Sequence, residues 1–266
     1  MFWEELTSTE LKDAIEETKG VCIFPFGVIE KHGSHLPLST DMIIGRTLAA
    51  EAVKLESAVI FPYYFFGQIA EGRHTPGTIS IKPELMYSLL ENVFEEISRN
   101  GFHKILLFES HGGNCSFVDY FMLSTLYRKH NYTLYHTGIS EWMTKEQTEE
   151  ILHLTQRSDL GGHAGDMETA IVLAARDDLV HLNQVDKEGI PSLGRLDHLN
   201  GMNTPINWYA DHPFHQQGDP FGATKETGEK IIEYTAANLA KKIKAIKQDT
   251  AAPKLLNEFY VASEQL

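Results

Sequence analysis

Four side chains able to bind a metal stand in one short stretch, Glu30-Lys-His32-Gly-Ser-His35-Leu-Pro-Leu-Ser-Thr-Asp41. It directly follows the apolar run Val21-Cys-Ile-Phe-Pro-Phe-Gly-Val-Ile29. Imidazole and carboxylate donors in combination suit a borderline divalent ion such as Zn²⁺ or Mn²⁺. The apolar run reads as a buried strand of a parallel sheet, and ligands of open α/β sheets bind at the carboxyl ends of strands. Carried through the run, strand alternation places Glu30 and His32 on one face. Each residue alone has an ordinary reading: a loop histidine holding a backbone carbonyl, or Asp41 capping a helix that begins near Met42. Four of them together at the end of one buried strand favour a metal site.

Two later segments repeat the pattern of strand followed by polar cluster. Lys104-Ile-Leu-Leu-Phe108 leads into Glu109-Ser-His111-Gly-Gly-Asn114, where the paired glycines permit a sharp turn or close approach to a ligand. Gly161-Gly-His163-Ala-Gly-Asp166-Met-Glu168-Thr169 leads into a helix from Ala170 onward. Acids in its first turn are favoured by the helix dipole. The dipole accounts for one acid but not for His163 beside it. The expected ligands are Glu30, His32, Asp41, His111 and Glu168, with His35, Glu109, His163 and Asp166 in reserve. Five ligands exceed the three usual for a mononuclear catalytic zinc. They suit two ions sharing a carboxylate, and Asp41, beyond both Glu30 and His32 in the same loop, is the expected bridge.

The elements that must hold these groups alternate along the chain. Helices are expected over 9–18 and 42–55, from Pro83 to Asn100-Gly101, over 115–129 and over 224–247; strands over 21–29, 58–61, 104–108 and 133–137. Met86, Leu90, Val93 and Ile97 follow helical spacing. This alternation predicts an α/β fold, three layers of α/β/α around a mostly parallel sheet. No repeat or linker divides the chain, so residues 1–266 are expected to form one domain. The loop over 65–80 is long enough to be functional, with His74 and Thr78 as candidate substrate contacts. The irregular stretch 181–222 is expected at a subunit contact or over the site, and its histidines, His215 among them, at the surface or the substrate mouth. The tail beyond Ala251 is expected to be peripheral.

A formal net charge of −14 argues against binding to a nucleic-acid backbone. With 42% hydrophobic and 23% charged residues the chain is expected to be globular. It has no apolar run of membrane-spanning length and no signal-peptide pattern at its start, so a soluble cytoplasmic protein without membrane contacts is expected. Its two cysteines, Cys22 and Cys115, indicate neither a disulfide framework nor a thiol nucleophile.

On these residues the chain resembles the creatininase (creatinine amidohydrolase) family. The matching elements are Glu30-x-His32-x-x-His35-Leu-Pro-x-x-x-Asp41, His111 in Ser-His-Gly-Gly-Asn, and His163-Ala-Gly-x-x-Glu168-Thr169, with Gly218-Asp-Pro-Phe-Gly-Ala-Thr224 opening the long helix. The resemblance runs from about Gly20 to about residue 245. It implies one metal on Glu30, Asp41 and His111, a second on His32 and the bridging Asp41, and a catalytic role for His163. It matches Trp142 to a tryptophan of the substrate pocket. It also implies a homo-oligomer, a hexamer.

The family's namesake enzyme differs at several positions. It has a metal-binding glutamate where this chain has Gly113, a role assigned here to Glu168. It has a tyrosine at the Gly112 position, a glutamate at the Gly162 position and an asparagine at the Glu109 position. These differences predict a substrate other than creatinine. The expected function is a metal-dependent hydrolase, a dinuclear amidohydrolase opening a small cyclic amide or related C–N bond. A formamide hydrolase or a C–C hydrolase of a cyclic keto-sugar is the alternative on the same metals. A metal-binding protein without catalysis is a further one, against which His163 counts.

Overall fold

The computed structural model describes residues 1–265. Four strands form one sheet: β1 (Val21–Phe26), β2 (Val59–Ile60), β3 (Lys104–Glu109) and β4 (Thr133–Thr137), in the order β2-β1-β3-β4. Every pairing is parallel, with Val21 opposite Lys104 and Ile105 opposite Leu134. Parallel strands need crossovers, and the helices that supply them cover both faces. The helices are α1 (Ser8–Glu17), α2 (Thr40–Leu55), α3 (Pro83–Arg99), α4 (Cys115–Ser124), α5 (Lys145–Thr155), α6 (Asp166–Arg176), α7 (Asn207–Asp211), α8 (Lys225–Gln248) and α9 (Ala251–Ser263).

Alternation along the strands divides the core in two. Cys22, Phe24 and Phe26 of β1, with Ile105 and Leu107 of β3, pack against Met86, Leu90, Phe94 and Ile97 of α3 and Val118 and Phe121 of α4. Val21, Ile23, Leu106 and Phe108 point the other way, onto Ile44 and Leu48 of α2, Ile171 of α6 and Leu239 and Ile243 of α8. Both faces are buried, which is why the strands read as unbroken apolar runs. The three-layer α/β expectation is met.

Some boundaries differ from the sequence reading. β1 ends at Phe26, so strand alternation does not place Glu30 and His32. Past Phe26 the chain turns to the site: the Val28 amide donates to Asp41 Oδ2 at 3.4 Å and the Glu30 amide to the Leu38 carbonyl at 3.1 Å. The expected helix over 115–129 stops at Ser124 and gives way to a 3₁₀ turn, Thr125–Tyr127. Helix α5 was not foreseen, although Thr144 and Gln147 supply a capping box at its start. The tail beyond Ala251 is helical, and Tyr260 anchors it through a 3.1 Å hydrogen bond to the Thr125 carbonyl. No helix among the described residues is long and apolar enough to cross a membrane.

Candidate metal centre

The carboxyl ends of β1 and β3 face the first turns of α2 and α6, and the expected ligands meet there. Asp41 is the second residue of α2, and its carboxylate does not cap the helix. Instead Oδ1 lies 2.9 Å from His32 Nε2 and Oδ2 lies 3.1 Å from His111 Nδ1. Glu30 Oε1 is 2.7 Å from His111 Nδ1. Glu168 Oε2, in the first turn of α6, is 3.8 Å from His32 Nε2 and also accepts the Ala164 amide at 2.7 Å. Glu30, His32 and Asp41 are at most 1% exposed.

These atoms fit a bound cation. Glu30 Oε1, Asp41 Oδ1 and His32 Nε2 are buried without a hydrogen bond of acceptable geometry, although each lies within ion-pair distance of another ligand atom. Buried polar atoms that converge without aligned hydrogens are satisfied by a metal between them. Three overlapping groups have ligand atoms within 4.8 Å of one another: Glu30, Asp41 and His111; His32, His163 and Glu168; Glu30, His163 and His215. A separate group of Glu91, Glu95 and His130 is already served by Arg128, whose Nη2 lies 2.9 and 2.7 Å from the two carboxylates.

Protonation follows the same geometry. Burial alone disfavours an imidazolium at His32, but Asp41, Glu168 and Glu30 outweigh it and raise its pKa to about 10. His111 is likewise raised, against its burial, by Glu30 and Asp41. Burial lifts Glu168 to about 7. His163 is lowered to about 3, by burial first and then by its neighbour His32, so its ring is neutral. Its Nε2–H donates to the Lys31 carbonyl at 2.8 Å, which leaves Nδ1 as the nitrogen able to take a proton.

Hydrogen bonds behind the ligands fix their orientation. His111 Nε2–H donates to the Gln68 carbonyl at 2.9 Å, so Nδ1 faces the carboxylates. The Gln68 amide in turn donates to Asn114 Oδ1 at 2.8 Å. Trp208 Nε1–H donates to His215 Nδ1 at 2.8 Å, and His215 Nε2–H donates to Glu30 Oε2 at 2.5 Å. His215 has a left-handed backbone, φ 55°, an uncommon conformation for a residue with a side chain. It is 1% exposed, which corrects the expectation of a surface residue, but it lines the cavity over the ligands, as a substrate-mouth residue would. Its loop reaches the site because glycines meet: a Cβ on Gly162, whose φ is +92°, would lie 2.6 Å from Gly218 Cα. The Gln217 and Gly218 amides close this contact onto the His163 carbonyl, at 3.0 and 2.9 Å.

A cavity of about 440 Å³ opens over the ligands. Its walls include Glu71, Ile139, Met167 and Trp208, together with Glu30, His111, His163 and Glu168. The three residues expected to touch substrate are not among its lining residues. Trp142 packs in the core with its ring 5.8 Å from that of Phe108. His74 hydrogen-bonds the Glu71 and Pro213 carbonyls, at 3.0 and 2.9 Å, and Thr78 bonds Thr75. Trp208 stands at the cavity in the place expected of Trp142. Among the reserve residues, Glu109 faces His136 at 3.0 Å and Asp166 faces Arg157 at 2.6 Å. His35 bonds Thr169 Oγ1 at 3.0 Å. None of these three joins a ligand group.

The family model for creatininase, creatinine amidohydrolase, matches residues 4–243. The creatinine amidohydrolase of Pseudomonas putida is 23% identical over 265 residues, covering 92% of this chain and 96% of its own. A mycofactocin precursor peptide peptidase of Mycolicibacterium smegmatis is 33% identical over 98 residues, 35% of this chain and 39% of its own. A crystal structure of creatinine amidohydrolase superposes with a TM-score of 0.79 at 22% identity, over 94% of this chain and 98% of the other. A further structure, of a manganese creatininase, superposes with a TM-score of 0.78. With the family pattern spanning most of its length and buried donors converging as a metal requires, this chain belongs to the creatininase family of metal-dependent hydrolases acting on C–N bonds.

Proposed function

We propose that the protein is a single-domain amidohydrolase with two divalent metals, zinc or manganese, that cleaves the C–N bond of a small amide or lactam. The observation that carries this is Asp41, whose two oxygens each face a different imidazole, His32 and His111, at 2.9 and 3.1 Å. Glu30, Asp41 and His111 would hold one ion; His32, Asp41 and Glu168 the other. Bound there, the metals supply Lewis acidity and bring the pKa of a coordinated water towards neutrality. His163, neutral and 4.2 Å from the His32 ring centroid, takes up the proton released during attack and passes it to the departing nitrogen. Trp208, Met167 and Ile139 wall the cavity with apolar surface and limit water around the reacting amide.

The cavity is open at one of the positions where the sequence departs from the family pattern. A Cβ on Gly112 would meet nothing within 4 Å, so the space a tyrosine would fill is open. Chelation should abolish amide hydrolysis, and adding back Mn²⁺ or Zn²⁺ should restore it. Across a panel of lactams, amides and formamides assayed with reloaded enzyme, creatinine should be turned over roughly 10²-fold less efficiently than the best substrate, a loss typical of a misfitted pocket. Hydrolysis that survives complete metal removal would refute the mechanism. Efficient creatinine turnover would refute the pocket argument alone.

The proposal includes a homo-oligomer, a hexamer in the family pattern. Tyr120 and Leu123 of α4 and the following Tyr127 support it, with 70%, 68% and 95% of their surface exposed, as a partner-seeking apolar face would be. Sedimentation equilibrium should find a stable assembly; a monomer at micromolar concentration would remove this part of the proposal.

A further inference from the structure

Glu71 lines the cavity but belongs to none of the ligand groups. It comes from the loop after β2. A Cβ on Gly113 would lie 2.4 Å from His111 Nε2 and 2.9 Å from Glu71 Oε1. The Glu71 carboxylate therefore stands close to the space a side chain at position 113 would enter. Its side-chain partner is an amide: Gln68 Nε2 donates to Oε1 at 3.2 Å and to Oε2 at 2.9 Å. Gln68 is held in turn, with its side-chain oxygen accepting the Ala70 amide at 2.8 Å and its backbone tied to Asn114 and His111. The carboxylate is thus fixed in place without a cation. Among the described residues no lysine or arginine lines the cavity, and Glu71 forms no ion pair.

Glu30, Asp41 and Glu168 are the carboxylates that would hold the metals, whereas Glu71 stands outside that set. A substrate filling the cavity would take solvent away from Glu71. A carboxylate losing its water needs a cationic or hydrogen-bond-donating partner in exchange. Trp208 also lines the cavity, and an indole is an aromatic group compatible with a cationic ligand.

We propose that Glu71 is the specificity residue of the cavity and recognises a protonated nitrogen group, ammonium, amidinium or guanidinium, carried by the substrate away from the scissile bond. The inference rests on the hydrolase reading of the cavity, and the experiment separates the two. N-acetyl-argininamide and N-acetyl-citrullinamide match in shape and differ in charge at the side-chain end. Their binding to the metal-loaded protein is measured by calorimetry, with ammonia release followed in parallel. The arginine compound should bind at least about 10-fold more tightly, the scale of one charge-assisted contact. Glu71→Gln should bring the ratio near one while metal content stays the same, and Glu71→Asp should keep part of it. Equal binding of the two compounds by the unaltered protein overturns the proposal, whether or not the variants fold. So does metal loss in Glu71→Gln, which would make Glu71 a ligand. If binding discriminates but no amide of any kind is hydrolysed, the hydrolase reading fails and the assignment of Glu71 stands.

Discussion

Asp41→Ala is expected to leave the protein folded and nearly free of metal, from about two ions per chain to almost none, as a shared-carboxylate centre requires. Asp41 has one oxygen facing His32 and the other facing His111, the imidazoles assigned to the two different ions. Its carboxylate is held well ionised despite complete burial, because those imidazoles outweigh the cost of burying its charge. Its place in the first turn of α2 adds the favourable end of a helix dipole. Truncation removes one donor from each ion and leaves His32 Nε2 and His111 Nδ1 without their shared anion. His215→Ala gives the contrast. His215 orients Glu30 from behind, so its loss should weaken metal affinity by about 10–100-fold without emptying the site. Elemental analysis after dialysis, with circular dichroism on the same samples, separates the two variants. Full metal content in Asp41→Ala would show that another group bridges.

His163→Asn is expected to keep its metals and fold and to lose kcat by about 10²–10⁴-fold, the usual contribution of a general acid–base group. The ring sits over the ligand cluster, 4.2 Å from His32 and 4.7 Å from His215 between centroids, with Trp208 edge-on at 5.6 Å. It is neutral because burial and the neighbouring His32 oppose a charge there. An imidazole so disfavoured as a cation takes a proton only as the attack releases it, and gives it up at once to the leaving nitrogen. The Lys31 carbonyl fixes which ring nitrogen carries hydrogen at rest. Asparagine keeps a polar group against that carbonyl but cannot relay a proton. The decisive measurement is kcat and metal content on one preparation. Parallel loss of both makes His163 a ligand, and an unchanged kcat takes it out of the mechanism.

The residues able to bind metal were legible in the sequence. Glu30, His32 and Asp41 fall in one loop after an apolar run, and His111 and Glu168 follow the next such patterns. Local spacing was enough because each candidate lies in the loop that follows a strand or in the first turn of a helix. The parallel sheet was legible for a related reason. β1 and β3 are buried on both faces, so they carry no polar alternation.

Tertiary structure alone decided what surrounds the ligands. His215 and Trp208 lie in an irregular stretch whose polar composition is that of surface loops. They reach Glu30 only because Gly162 and Gly218 let two loops pack backbone to backbone. Trp142 follows β4, and its indole turns inward onto Phe108. Glu71 is one acid in a long loop, and nothing near it in sequence shows that it fills the space beside Gly113. Periodicity records which face of an element is buried, since burial acts on every second or every third-to-fourth residue. It holds no record of which loops converge, because that depends on contacts between residues far apart in the chain. Sequence therefore determined the candidate metal-binding groups and the layers that carry them, and packing between distant loops determined the cavity above them.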